Sequence, residues 1–166
     1  MKNKNIVLIG MPSAGKSTIG QRLASNLNMS FLDTDDLIFD EAKKPLKDIV
    51  SQDGLDKFLE LQEKIILNIE AETSIIATGG SVVKSKPAIE HLKNNSIIVY
   101  LKVSYSEIES RLGTERRLAR KEEQDFLGVY NEREVLYQKY SDIVIDCTAR
   151  EIDDIISEIS KNLNAY

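Results

Sequence analysis

The residues with the clearest chemistry form a short loop near the start of the chain, at positions 10–17. The loop fits the pattern G-x-x-x-x-G-K-[ST] and lies between the apolar run Ile6–Ile9 and a helical pattern, as this motif requires. Its glycines let successive backbone N–H groups cradle phosphate oxygens. A glycine-rich turn without a ligand is the alternative, but the flanking patterns favour nucleoside-triphosphate binding.

The same loop predicts the contacts that hold and activate the nucleotide. Lys16 is expected to project into solvent-filled phosphate space, where it reaches the β- and γ-phosphates, and the Ser17 hydroxyl is expected to ligate Mg²⁺. The residues predicted to contact ATP here are Gly10, Ser13, Ala14, Gly15, Lys16, Ser17 and Thr18.

Carboxylates follow the second predicted strand, at Asp33 and Asp35. Ligands of parallel sheets bind at the carboxyl ends of the strands, where these residues stand. In extended backbone, residues two apart project to the same side. One carboxylate would then hold Mg²⁺ while the other orients and deprotonates a substrate hydroxyl. The alternative is that one of them caps a helix that starts near Leu37.

Two further segments favour a phosphate-transfer site. Gly79 and Gly80 follow the third predicted strand, where a second anion nest or a substrate platform is favoured over a plain turn. Residues 113–124 hold a basic cluster in an otherwise acidic protein. A solvated helix face would explain that cluster, but arginines that fold over a triphosphate are a common lid in phosphate-binding enzymes.

Bulk composition excludes several classes of function. The chain has 166 residues and a net charge of −5, so its field disfavours nucleic acid and anionic membranes. Cys147 is the only cysteine, which excludes an internal disulfide and fits a reducing cytoplasm. No apolar stretch approaches the length of a membrane span, and the start of the chain lacks a signal-peptide pattern. We expect a cytoplasmic protein.

Short apolar runs alternate with helical patterns along the whole chain. This alternation predicts an α/β protein, a three-layer α/β/α sandwich with a parallel sheet, in one domain over residues 1–166. Helices are predicted after the phosphate loop, over roughly Leu55–Glu70, from Pro87, and over Tyr105–Leu112 and Ile152–Leu163. The predicted strands are Ile6–Ile9, Ser30–Leu32, Ser74–Ala77, Ile97–Leu101 and Ile143–Ile145.

The motifs together, from Ile6 to about Leu163, resemble the shikimate kinase family. The resemblance rests on the phosphate loop, Asp33-Thr34-Asp35, Thr78-Gly79-Gly80 and a Glu-Arg-x-x-Leu-Tyr segment at Arg133, in that order and spacing. It implies a five-stranded sheet of order 2-3-1-4-5, an acceptor-binding helical region at about 35–62 and a lid at about 113–124. It also implies an ATP- and Mg²⁺-dependent kinase of a small-molecule hydroxyl, with shikimate as the first candidate acceptor.

The resemblance also implies roles for individual residues. Asp33 and Ser17 would serve Mg²⁺, and Asp35 would be the catalytic base beside the catalytic Lys16. The remaining assignments are Gly79 and Gly80 against the substrate, Arg133 on its carboxylate, Arg116 as the lid arginine on phosphate, and Arg111 and Arg150 beside the adenine. From pattern alone, Arg133 stays undecided, because helical arginines are mostly solvated.

Four positions depart from the family pattern. Leu59 replaces an arginine that grips the shikimate carboxylate, and Gln62 replaces the glutamate that steadies that arginine. Ser81 replaces the third glycine of the turn, and Arg117 replaces a proline in the lid. We therefore expect weak affinity for shikimate.

These departures leave several alternatives open. A kinase of another hydroxy compound, such as a sugar acid or a hydroxy amino acid, and a non-catalytic nucleotide-binding protein both stay open. The lid contact could come from Arg116, Arg117 or Arg120. We expect a monomer that binds no nucleic acid and no membrane.

Overall fold

Five parallel strands form a single sheet at the centre of the computed structural model, which describes residues 4–112 and 125–166. Their order is β2-β3-β1-β4-β5, which confirms the order that the resemblance implied. The register pairs Asp33 with Ala77, so the ends of two neighbouring strands meet at the edge where the site lies. The strands are β1 (Asn5–Ile9), β2 (Ser30–Asp33), β3 (Ser74–Ala77), β4 (Ser96–Lys102) and β5 (Ile143–Asp146).

Helices cover both faces of this sheet and confirm the three-layer α/β/α class. The described helices are α1 (Lys16–Leu27), α2 (Thr34–Ala42), α3 (Leu46–Gln52), α4 (Leu55–Leu67), α5 (Lys86–Lys93), α6 (Tyr105–Leu112), α7 (Phe126–Tyr140) and α8 (Ile152–Leu163). Helices α1 and α8 pack against each other, while α5 and α7 each pack on β4. A 3-10 turn over Val82–Lys84 follows the glycine segment.

Burial explains why the central strands read as continuous apolar runs. Every residue of β1 and of β3 is buried, as expected for strands covered on both faces. The edge strand β5 alternates instead, with Ile143 and Ile145 buried and Val144 half-exposed. Cys147, directly after β5, is buried, and burial raises the pKa of its thiol to about 12.

A second, smaller apolar cluster lies beside the main core. Its buried members are Ile38 of α2, Ile49 of α3 and Phe58 of α4. Burying large apolar side chains is worth roughly 1.5–3 kcal/mol each, so this cluster helps to hold the three short helices against one another. It fixes the position of the helical segment that forms one wall of the site.

The expected geometry of the two carboxylates is wrong in one respect. Helix α2 begins at Thr34, three residues before the expected start near Leu37, because the Asp33 side chain accepts the Asp35 backbone N–H and caps the helix. Asp33 therefore ends a strand while Asp35 lies in the first helical turn. They do not project from one extended segment.

Within the described residues, no helix is long and apolar enough to span a bilayer.

Candidate active site

The phosphate loop joins the end of β1 to the start of α1. Three of its residues have positive φ, with values of 150° at Gly10, 65° at Ser13 and 90° at Gly15. Gly15 forms the N-terminal boundary of α1, so the loop turns directly into the positive end of the helix. This is the arrangement that binds phosphate groups in nucleotide-binding proteins.

Lys16 lies folded across this loop rather than in open solvent. Its Nζ donates to the carbonyl oxygens of Gly10 at 2.9 Å and Met11 at 2.7 Å, and the residue is 8% exposed. The expectation that its side chain projects freely into solvent is therefore wrong, because the loop's own carbonyls attract the ammonium group. The residue still lines the cavity, so its positive charge stands at the wall where phosphates would bind.

A single carboxylate connects the loop to the acceptor side. The Ser17 hydroxyl donates to Asp33 Oδ2 at 2.6 Å, while Asp33 Oδ1 accepts the Asp35 N–H at 3.0 Å. Asp33 thus caps α2 and also contacts the loop, so that a carboxylate and a hydroxyl oxygen stand side by side. These are hard oxygen donors, as Mg²⁺ prefers. The described residues hold no group of three or more His, Cys, Asp or Glu that could bind a metal.

The glycine segment after β3 is packed too tightly for side chains. A Cβ at Gly79 would lie 2.9 Å from Asp35 Oδ1 and 3.0 Å from Gln62 Oε1, and one at Gly80 would lie 2.5 Å from Pro12 Cδ. The Gly79 N–H also donates to Thr34 Oγ1 at 3.1 Å. The two glycines thus form a backbone surface between the phosphate loop and the start of α2.

Two of the departures from the family pattern contact each other. The Ser81 hydroxyl donates to Gln62 Oε1 at 2.8 Å, and both residues are buried. Gln62 Nε2 makes no hydrogen bond to any residue that the structure describes. A neutral amide therefore stands where the resemblance led us to expect the acidic half of an ion pair, and a hydroxyl stands where it led us to expect a glycine. Both changes are visible in the sequence, but no pattern in it indicates that these two residues, 19 positions apart, are in contact.

Helix α7 contributes two buried polar side chains. Arg133 is 1% exposed and lines the cavity. Tyr137, one turn later, donates its hydroxyl to the Gly80 carbonyl oxygen, and its ring stacks on Tyr100 at 5.0 Å between centroids. Burial raises the pKa of Tyr137 well above its ordinary value, so it stays a hydrogen-bond donor. Sequence reasoning missed this tyrosine as a support of the glycine surface.

One cavity of about 580 Å³ brings most of these groups together. Its walls include the phosphate loop, both carboxylates, the glycine segment and Arg133. Leu59 does not line this cavity and instead lines a neighbouring one with Glu63 and Lys84. The remaining wall comes from the connection after α2 and from α3 and α4, through Pro45, Leu46, Lys47, Val50 and Phe58.

Arg111 and Arg150 lie outside that cavity. Glu107 connects their surroundings, because it contacts Arg111 and also the residue that precedes Arg150. Arg111 donates to the Ser13 carbonyl oxygen at 3.2 Å and forms an ion pair with Glu107, whose second oxygen accepts the Ala149 N–H at 2.9 Å. Arg150 donates to the Asp146 carbonyl oxygen at 2.8 Å and pairs with Glu158. Arg116, Arg117 and Arg120 and the expected lid at 113–124 lie outside the described residues.

Comparison with known proteins agrees with this geometry. The family model "Shikimate kinase" matches residues 12–164. A shikimate kinase of Clostridium botulinum is 36% identical over 97% of both chains, and one of Bacillus mycoides is 31% identical over 97% of this chain and 99% of its own. The solved structure of the Acinetobacter baumannii shikimate kinase in complex with shikimate has a TM-score of 0.89 at 26% identity, covering 98% of this chain and 93% of that one.

Family model, relatives and fold thus agree with the phosphate loop, the carboxylates and the glycine surface: the chain belongs to the shikimate kinase family.

Proposed function

We propose that this chain transfers the γ-phosphoryl group of ATP to a hydroxyl of shikimate, with Mg²⁺ as the cofactor. The observation that carries this proposal is that one cavity is lined by Lys16, by the carboxylates Asp33 and Asp35, and by Arg133. A phosphate loop, a base and a cation for a carboxylate are the groups that this reaction needs. Shikimate bound in the Acinetobacter baumannii relative supports the choice of acceptor.

At the phosphate end, the loop binds the triphosphate through its backbone N–H groups and through Lys16. Thr18, in the first turn of α1, lines the cavity beside Ser17 and adds a hydroxyl there. Mg²⁺ would be held by Ser17 and Asp33, which already share a hydrogen bond. When bound, the ion neutralises charge on the β- and γ-phosphates.

At the acceptor end, Asp35 is the base. It orients the acceptor hydroxyl and takes its proton as the oxygen attacks the γ-phosphorus and the bond from that phosphorus to the bridging oxygen of ADP breaks. Gly79 and Gly80 let the acceptor approach the backbone, since side chains there would collide with Asp35 and Pro12. Arg133 binds the acceptor's carboxylate through charge-assisted hydrogen bonds.

Three further assignments belong to the same proposal. Arg111, with its contact to the phosphate loop, and Arg150 flank the adenine. Residues 35–62 form the acceptor-binding region, in one domain with the rest of the chain. Residues 113–124 form the lid, with Arg116 on the transferred phosphate.

The proposed enzyme works as a monomer in the cytoplasm. The residues that line the phosphate and acceptor walls of the cavity come from one chain, so the proposed chemistry needs no residue from a second copy. Support for a reducing compartment is the single cysteine, which lies buried.

The test is a coupled assay of ADP release with shikimate and with a panel of other hydroxy acids and sugar acids. Shikimate should be the acceptor that drives ATP consumption, with a phosphate monoester as the product. If another hydroxy acid drives it and shikimate does not, the acceptor is wrong while the enzyme class stands. If no acceptor raises ADP release above the background, the chain does not act as a kinase.

A further inference from the structure

We propose that Lys47 of α3 supplies the second positive charge for the acceptor's carboxylate and so determines specificity for an anionic acceptor. The inference rests on the proposed function and deepens it. Lys47 lines the same cavity as Arg133, on the wall built by α3 and α4. Asp33 and Asp35, whose negative charges would repel a carboxylate, line the same cavity. A carboxylated acceptor therefore needs cations to balance them.

Among the described residues Lys47 has no ionic partner, whereas three other lysines of its region have one. Lys44 pairs with Asp53, Lys57 with Glu60 and Lys64 with Glu41. Within the described part of the chain, Lys47 makes no ion pair or hydrogen bond and its side chain is exposed. Its ammonium group is thus available to a ligand, and no internal ion pair has to break when it binds.

Helix α4 cannot provide this charge. Leu59 is apolar and lines the neighbouring cavity, and Gln62 is neutral and bonded to Ser81. Lys57 is held by Glu60 and does not line the site. The neighbours of Lys47 on the wall, Leu46 and Val50, offer only apolar contact. Of the described cations that line the cavity, only Lys47 and Arg133 lie outside the phosphate loop.

The chemistry of the two cations is complementary. Arg133 is buried and planar, so it can bind a carboxylate with fixed geometry. Lysine is a flexible point charge with no preferred plane, and it can reach either oxygen of the same carboxylate. Lys47 should therefore contribute affinity for the anion without setting the angle at which the acceptor hydroxyl meets Asp35.

The test compares Lys47→Met with the matched control Lys57→Met and with the conservative variant Lys47→Arg. For Lys47→Met, KM for shikimate should rise about five- to tenfold, as expected for one lost charge-assisted contact. The kcat value and KM for ATP should stay within about threefold of the parent, a change under 1 kcal/mol. Lys57→Met should change nothing, and Lys47→Arg should keep most of the affinity.

A neutral acceptor separates charge from packing. Shikimate carboxamide has the same ring and hydroxyls but no negative charge. The wild type should prefer shikimate to the carboxamide. In Lys47→Met this preference should fall by the same factor by which KM for shikimate rises. Equal losses for both acceptors, or no loss for shikimate, would overturn the inference.

Calorimetric titration of shikimate keeps this inference apart from the proposed function. Binding by the wild type that weakens in Lys47→Met supports the role of Lys47 whether or not the acceptor is phosphorylated. If both proteins bind shikimate with equal strength, or if neither binds it, the inference about Lys47 is overturned. Binding without turnover overturns the proposed function alone.

Discussion

The two halves of the cavity are built in different ways. Apart from Asp33, the phosphate half is one continuous segment, residues 10–18, whose backbone geometry and local motif define its chemistry. The acceptor half is assembled from α2, α3, α4, the glycine segment and α7, which lie far apart in the chain. The phosphate half therefore depends on local sequence, while the acceptor half depends on tertiary packing.

The departures from the family pattern within the described residues all fall outside the phosphate half. Leu59, Gln62 and Ser81 belong to the acceptor half or its surroundings, whereas the loop keeps every residue that its motif demands. Substitutions in the phosphate half should thus abolish turnover with any acceptor. Substitutions in the acceptor half should change which acceptor is used and how tightly it binds.

The largest effect is expected from Lys16→Ala. Removal of a positive group from the transferring phosphate should lower kcat about a hundredfold to a thousandfold. The variant should stay folded, although the Gly10 and Met11 carbonyls lose their common donor. Steady-state kinetics and thermal unfolding measure both, with Lys57→Ala as the control. Turnover within about threefold of the parent would mean that this loop is not the catalytic site.

Asp35→Asn tests the acceptor half at the residue proposed to take the proton of the acceptor hydroxyl. The amide can still hydrogen-bond the acceptor but takes up no proton, so kcat should fall about a hundredfold while ATP affinity is unchanged. Asp33→Asn, the matched control, should instead raise the Mg²⁺ concentration needed for half-maximal activity. Small and equal effects at both positions would indicate that Asp33 only caps α2 and that Asp35 takes no part in the reaction.

A smaller effect is expected from Tyr137→Phe, which removes the donor to the Gly80 carbonyl. The loss should destabilise the fold by about 1 kcal/mol. It should raise KM for shikimate by up to about fivefold, the factor that this energy allows. KM for ATP should not change. Tyr130→Phe is the control, because its hydroxyl donates to Val103 away from the cavity. If both variants shift KM equally, Tyr137 does not support the glycine surface.

The smallest effect is expected from Ser81→Gly, which restores the glycine of the family pattern. Gln62 would then lose its hydroxyl partner, so stability should fall by about 1 kcal/mol while kcat/KM for shikimate stays within about threefold. Ser51→Ala, at an exposed hydroxyl, serves as the control. A tenfold gain in kcat/KM would show that Ser81 by itself weakens the acceptor site.

The difference between the phosphate half and the acceptor half also explains which features could be predicted from the sequence. Strands and most helices followed from apolar periodicity, and Tyr105–Leu112 and Ile152–Leu163 have the predicted bounds. The start of α2 was missed because Asp33 serves as a cap as well as a strand end. The phosphate loop was recognised because its motif is local.

The acceptor half needed the fold. Helix α7 buries Arg133 while it exposes Leu127 and Val135, so polarity alone misassigns its buried face. The bond between Gln62 and Ser81 joins residues that no local pattern relates. Lys47 is one lysine among many until the packing of α3 brings it to the cavity wall.

The most direct measurement is identification of the product when wild type and Asp35→Asn are incubated with ATP, Mg²⁺ and shikimate, by phosphorus NMR and mass spectrometry. We expect the wild type to yield ADP and a shikimate monophosphate in equal amounts, and Asp35→Asn to bind ATP but form about a hundredfold less of both per unit time. Equal ADP release with and without shikimate, and no phosphorylated shikimate, would contradict the proposal that this cavity phosphorylates shikimate.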